Sequence, residues 1–171
     1  YFGYKTNQLD GQTVKTRDLF RLLEENIGKD KVDYFDTQNF QYGISNVFVM
    51  FKKIMSCRYL FYLPAHNNLK YIFPILFPLS KIFRFNILYF IVGGWLVEYL
   101  STKPLHKWML KRINGIFSET KLMKISLEDN YGFDNVTVFP NFRFSVFVPT
   151  MHHEKGKLKL VFLARINKMK G

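Results

Sequence analysis

Cysteine is almost absent from this chain of 171 residues: Cys57 stands alone, so no internal disulfide framework exists and a reducing compartment fits. Cys57 is therefore expected to be a small buried residue. Four histidines, His66, His106, His152 and His153, show no metal-ligand spacing, and no Cys or His cluster supports zinc. Acidic residues are scarce as well. Thirteen Asp and Glu against 25 Lys and Arg leave a formal charge of +12, which favours an anionic partner: a nucleic acid, an acidic membrane surface or a phosphorylated small molecule.

Long uninterrupted apolar runs are also missing. Residues 71 to 92 come nearest, but Pro74, Pro78, Lys81, Arg84 and Asn86 break them, whereas a spanning helix needs ~20 mostly uncharged apolar residues. A helix around Leu69–Phe83 followed by a buried strand at Ile87–Val92 accounts for the segment. No charged, apolar and small-residue succession marks a signal peptide. The Gly-x-Gly-x-x-Gly, P-loop and Gly-x-Ser-x-Gly patterns do not occur, which argues against a dinucleotide oxidoreductase, a P-loop NTPase and an α/β-hydrolase. Neither internal repeats nor low-complexity tracts are found.

What is present is an alternation of short apolar runs with stretches of helical period, the pattern of βαβ units around a parallel sheet. Val14 to Ile27 places Val14, Leu19, Phe20, Leu22, Leu23 and Ile27 near one helical face, with Gly28 as the stop. Strands are expected at Val32–Phe35, Tyr59–Leu63, Ile87–Val92, Gly115–Ser118 and Val136–Phe139. Helices are expected at Tyr42–Met55, Leu105–Ile113 and Lys121–Tyr131, the last closed by Gly132. Tyr1-Phe2-Gly3 reads as the tail of a further strand, so the start is expected to be clipped.

The fold class is thus α/β, a Rossmann-like doubly wound parallel sheet over residues 1–148. Residues 149–171 read as a linker and the first strand of a second domain: an irregular stretch with Pro149, His152, His153 and Gly156, then an apolar run from Leu158 into Arg165 and Lys170-Gly171. A strand opening into a basic turn at a helix start is a place to hold phosphate.

Ligands of such sheets sit beyond the carboxyl ends of the strands. That rule selects loops at Gly3–Thr16, Asp36–Gln41, Pro64–Leu69, Gly93–Tyr99 and Glu119–Lys121. In the first, Gly11, Gln12 and Thr13 open a helix and serve either as a capped start or as an anion loop. Gly93 and Gly94 make either a tight turn or room for a ligand, and Trp95 stacks on a sugar ring or simply packs. Glu119 is placed to cap the following helix or to face the ligand. The cations Lys103, Lys107, Lys111, Arg112, Lys121 and Lys124 spread over two helices; a solvated face is the default, with acidic lipid head groups next.

Taken in order, DGQTVKT, ILYFIVGGWLVEYL, INGIFSETKLMKISLEDNYGFDNVTVFPNF and LVFLARINKMKG resemble the retaining glycosyltransferases of the GT-B fold, family 4 (group 1), of bacterial capsule, exopolysaccharide and O-antigen synthesis. The resemblance covers essentially the whole chain. It implies that Arg165 and Lys170 hold the diphosphate of a nucleotide-sugar donor, and that Gly11, Gln12, Thr13, Gly93, Gly94 and Glu119 line the cleft near the donor phosphates and the acceptor. Many relatives carry a histidine after the strand that ends here in Gly93-Gly94; none stands there, and no catalytic residue is assigned.

The resemblance further implies a saccharide or lipid-linked saccharide acceptor, no metal or other cofactor, no nucleic acid, and a cytoplasmic location with peripheral contact at the inner face of the plasma membrane left open. The paired acidic motif and nucleoside pocket of the family's second domain are not among these residues, so the fragment is expected to be inactive alone. The rival expectation is a non-catalytic basic module that binds an acidic membrane surface or a nucleic acid.

Overall fold

Asp10 starts the first helix by a reciprocal cap. Its Oδ1 accepts from the Thr13 amide at 2.8 Å, while Thr13 Oγ1 accepts from the Asp10 amide at 2.9 Å. Two donors that a helix start leaves unpaired are satisfied in this way. In the computed structural model, which describes residues 2–4 and 10–144, the helix α1 (Gly11–Ile27) is followed by α2 (Ser45–Ser56), β1 (Tyr59–Tyr62), α3 (His66–Tyr71), α4 (Phe73–Phe83) and β2 (Asn86–Phe90). Then come α5 (Leu96–Ser101), α6 (Pro104–Leu110), β3 (Gly115–Ser118), α7 (Lys121–Tyr131) and β4 (Val136–Val138).

The strands pair in parallel in the order β1-β2-β3-β4, with Tyr62 opposite Tyr89, Phe90 opposite Phe117 and Ser118 opposite Val138. Alternation along each strand divides the apolar side chains between two faces. Tyr62, Ile87, Tyr89, Ile116 and Val136 enter a core with α3 to α7, through residues such as Leu69, Phe73, Leu100, Leu110 and Leu127. Phe61, Leu88, Phe90 and Phe117 face the other way, onto Leu19, Leu22 and Leu23 of α1. Phe90 stacks on Phe117 at 4.5 Å, and Phe139 closes edge-on over Phe90 at 5.4 Å. Helices thus cover both faces of a parallel sheet: the fold is Rossmann-like α/β.

Several expectations need correction. Val32–Phe35 belongs to no strand: Val32 is extended, but no ladder joins the segment to the sheet, and a cavity of about 630 Å³ is lined by Val32, Tyr34 and Phe35 on one side and by Tyr59 to Leu63 on the other. Phe2 and Gly3 form no ladder either; both amides donate to Asp36 Oδ2, at 3.2 and 3.1 Å. The expected helix over Leu69–Phe83 is two helices that part at Ile72, since Pro74 has no amide hydrogen to continue the first and suits the first turn of the second. Gly43, at φ 136°, precedes α2, which starts at Ser45, and the short helix α5 begins inside the expected Gly93–Tyr99 loop and runs on to Ser101. The proposed division at residue 148 lies outside the described residues.

A candidate functional site at the carboxyl edge of the sheet

The first turn of α1 lies across the exits of β1, β2 and β3. Gln12 Nε2 donates to the Leu63 carbonyl at 3.1 Å, just beyond β1. Lys15 Nζ donates to the Ile91 carbonyl at 2.8 Å, just beyond β2, and to Glu119 Oε1 at 2.7 Å, just beyond β3. Residues 76 and 104 positions apart are joined by one ammonium whose side chain is 10% exposed. This helix turn supplies donors to the carbonyls that follow β1 and β2, and to the carboxylate that follows β3.

The apolar face expected for α1 is correspondingly shifted. Its buried residues are Thr13, Lys15, Thr16 and Leu19, and Ile27 is exposed. A helix whose buried stripe is polar in its first turns and apolar afterwards is built to meet the rim of a sheet first and its face second. Lys15 was not singled out from the sequence, and its signal was a lysine on the inward stripe of α1.

Of the expected cleft residues, Gly11 is exposed, and a Cβ there would meet nothing within 4 Å. Its place in the turn is not forced by packing. Gln12 is engaged by Leu63 and Thr13 by the cap, so the side chains of both hold the helix start in place. Glu119 does not cap α7. Thr120 does, its Oγ1 accepting from the Met123 amide at 3.2 Å, while the Glu119 carboxylate is directed to Lys15.

Gly93 and Gly94 form the turn after β2. Gly93 has φ 79°, a backbone that side chains disfavour, and a Cβ would stand 3.3 Å from Trp95 Cδ1. The Trp95 indole folds back and donates to the Val92 carbonyl at 2.7 Å, and its ring packs 5.2 Å from His66 and 5.6 Å from Tyr99. His66 and Tyr99 meet edge to face at 4.8 Å. The exposed His66 thus stands after β1, beside the Gly93-Gly94 turn. It lies in one of the loops selected at strand exits, where its position rather than any metal spacing was the available signal.

Beneath this rim are three tyrosines. Burial pushes the Tyr62 and Tyr89 phenols far up, and burial raises Tyr99 against the opposing pull of the Lys70 ammonium. All three are neutral hydroxyls rather than bases. Burial also raises the Cys57 thiol, whose Sγ donates to the Ile54 carbonyl at 3.2 Å, so it is no ready nucleophile. Among the described residues no group of three His, Cys, Asp or Glu is placed to hold a metal, and no helix is long and apolar enough to cross a membrane.

The carboxyl edge therefore brings together Gly11, Gln12, Thr13, Lys15 and Glu119, with Gly93 and Gly94 on the turn that follows Ile91 and His66 beside it. Arg165 and Lys170 lie outside the described residues. Fold and rim define a Rossmann-like α/β protein with a polar cluster at its strand exits. Neither a protein-family model, nor a curated protein, nor a solved structure matches the chain.

Proposed function

We propose that the chain is the acceptor-side half of a retaining glycosyltransferase that moves a sugar from a nucleotide-diphosphate donor to a saccharide or lipid-linked saccharide of a bacterial surface glycan. The observation that carries the reading is the gathering of the Gly11 turn, the Gly93-Gly94 turn and Glu119 at the carboxyl edge of a parallel sheet, where α/β folds bind their ligands. The +12 charge suits a diphosphate donor. The resemblance at LVFLARINKMKG adds Arg165 and Lys170 as the cations that offset charge developing on the departing diphosphate, an electrostatic contribution that is commonly the largest in such catalysis.

Within this reading Lys15 is a positioning residue. It ties the Glu119 loop to β2 and to α1, so the rim presents backbone amides at Gly11 and a fixed carboxylate at Glu119. The test is calorimetric binding and hydrolysis of UDP-, GDP- and dTDP-sugars by the full-length protein, with Arg165→Ala beside it. Donor binding weakened at least tenfold by Arg165→Ala supports the reading. Failure of every donor to bind the full-length protein overturns it.

A further inference from the structure

On the opposite side of the molecule, α6 turns His106, Met109 and Leu110 inward and leaves Leu105 and Trp108 57% and 48% exposed. Three and four residues beyond Trp108, on the same outward stripe, stand Lys111 and Arg112, both exposed. A groove of about 470 Å³ between this helix and the end of α7 is lined by Lys107, Trp108, Lys111, Arg112, Asn130 and Tyr131.

None of the four cations around the groove has a carboxylate partner among the described residues. Lys107 Nζ lies 5.1 Å from the Tyr131 ring, Lys111 Nζ 5.9 Å from Phe133, and the Arg112 guanidinium 4.5 Å from Trp108. Lys81, from α4, donates to the Arg112 carbonyl at 3.0 Å, and Phe77 of the same helix packs 5.4 Å from Trp108. What sets this face apart is the combination: a half-exposed indole and an exposed leucine lie among four cations that have no carboxylate partner among the described residues.

We propose that this face, Leu105, Trp108 and the cations Lys81, Lys107, Lys111 and Arg112, docks on an anionic lipid bilayer. Charge complementarity and the mixture of side chains select that partner. Lys and Arg at a helical surface are drawn to acidic head groups, and an indole prefers the level of those head groups. A leucine beside it gains by entering the acyl boundary but gains nothing against a sugar-phosphate backbone. The patch belongs to segments that lead into β2, β3 and β4, at the end of the strands opposite the carboxyl edge, so docking leaves the Lys15–Glu119 rim open. The proposal goes beyond the transferase reading and does not depend on it.

The test is co-sedimentation of the whole chain with vesicles of phosphatidylcholine alone and with 30% phosphatidylglycerol, each at low and high salt. Binding to the anionic vesicles only, weakened by salt, is expected. Lys107→Gln/Lys111→Gln should lower the partition constant by roughly 25-fold, about fivefold for each cation lost. Removing the same charge elsewhere, with Lys29→Gln/Lys31→Gln, should change it by less than about threefold. Trp95→Phe leaves Trp108 as the one tryptophan, whose emission should shift to the blue on anionic vesicles and be quenched by brominated lipid.

Equal binding to both vesicle types, equal loss in the two double variants, or an unshifted Trp108 signal on bound protein would each overturn the assignment. Binding of duplex RNA or DNA that displaces the chain from vesicles would replace the bilayer with a nucleic acid. A circular-dichroism melt of each variant checks that these exposed substitutions leave the fold intact.

Discussion

Replacing Lys15 with methionine keeps an unbranched apolar stem of similar reach, with sulfur in place of one methylene, and removes the ammonium, so the change isolates the link between α1 and the exits of β2 and β3. Two bonds disappear, at 2.8 Å to the Ile91 carbonyl and 2.7 Å to Glu119. Ile91 is 1% exposed, and leaving a buried carbonyl without its donor costs about 1–3 kcal/mol. The Glu119 side chain is 24% exposed, so water recovers part of its solvation and the lost ion pair adds only about 1 kcal/mol. The expected loss is therefore about 2–4 kcal/mol, a large part of the ~5–15 kcal/mol that holds a domain together. In urea, with a slope of about 2 kcal/mol/M, the midpoint should fall by about 1–2 M. The double variant Lys15→Met/Glu119→Gln should lose less than the sum of the two single variants, by roughly 1 kcal/mol. A midpoint within about 0.3 M of wild type, or strict additivity, would show that the contact is an inconsequential rim pair and that α1 is held by Leu19 and Leu23 alone.

Two further outcomes follow from buried polar groups. His106 is 7% exposed and its Nε2 lies 3.2 Å from the Leu69 carbonyl; burial first, then Lys103, holds its imidazole below the ordinary value against the pull of the backbone bonds. The folded state thus resists the proton more than the unfolded chain does, so stability is full above about pH 6.5 and falls as pH drops through the folded-state value. Urea midpoints at pH 7.5, 6.5 and 5.5 should decline in wild type, and the decline should flatten in His106→Gln; equal slopes would count against the assignment. Tyr89 is fully buried, and its hydroxyl has no partner among the described residues. Tyr89→Phe should therefore stabilise by about 1 kcal/mol, raising the melting temperature by about 2–4 °C, and a lowered one would contradict this account.

Local chemistry made some of the fold legible in advance. The strand Gly115–Ser118 and the helix Lys121–Tyr131 have the bounds expected from sequence, because Thr120 caps the helix start and Gly132 takes the left-handed turn at its end, at φ 61°. Both signals lie within a few residues of the boundaries they set. Val32–Phe35 shows the converse: its residues favour an extended chain, and Val32 is extended, but a strand also needs a ladder partner that local propensity does not supply. The rim divides in the same way. The position of Gly11, Gly93 and Glu119 at the strand exits follows from the order of strands and helices along the chain, whereas Lys15 and its pairing to Glu119 depend on how α1 crosses the sheet. A contact 104 residues apart has no signature in either neighbourhood.

The state of Lys15 bears on where a diphosphate could find compensating charge. Its ammonium is held between a carbonyl and a carboxylate, so the Lys15–Glu119 pair contributes little net charge to the rim. An incoming anion would have to break that link, at the cost worked out above, or use other donors. The first two amides of α1, at Gly11 and Gln12, are not consumed by the Asp10 cap, which takes the Thr13 amide. Partial charge at a helix start amounts to about half an elementary charge, too little for a diphosphate by itself. The transferase reading therefore assigns the full cations to Arg165 and Lys170. The two sides then fail differently. Arg165→Ala should weaken donor binding directly, whereas Lys15→Met should lower stability first and donor affinity only as the Glu119 loop loosens. A Lys15→Met protein that folds as well as wild type yet no longer binds donor would reverse these roles and make Lys15 itself a phosphate ligand.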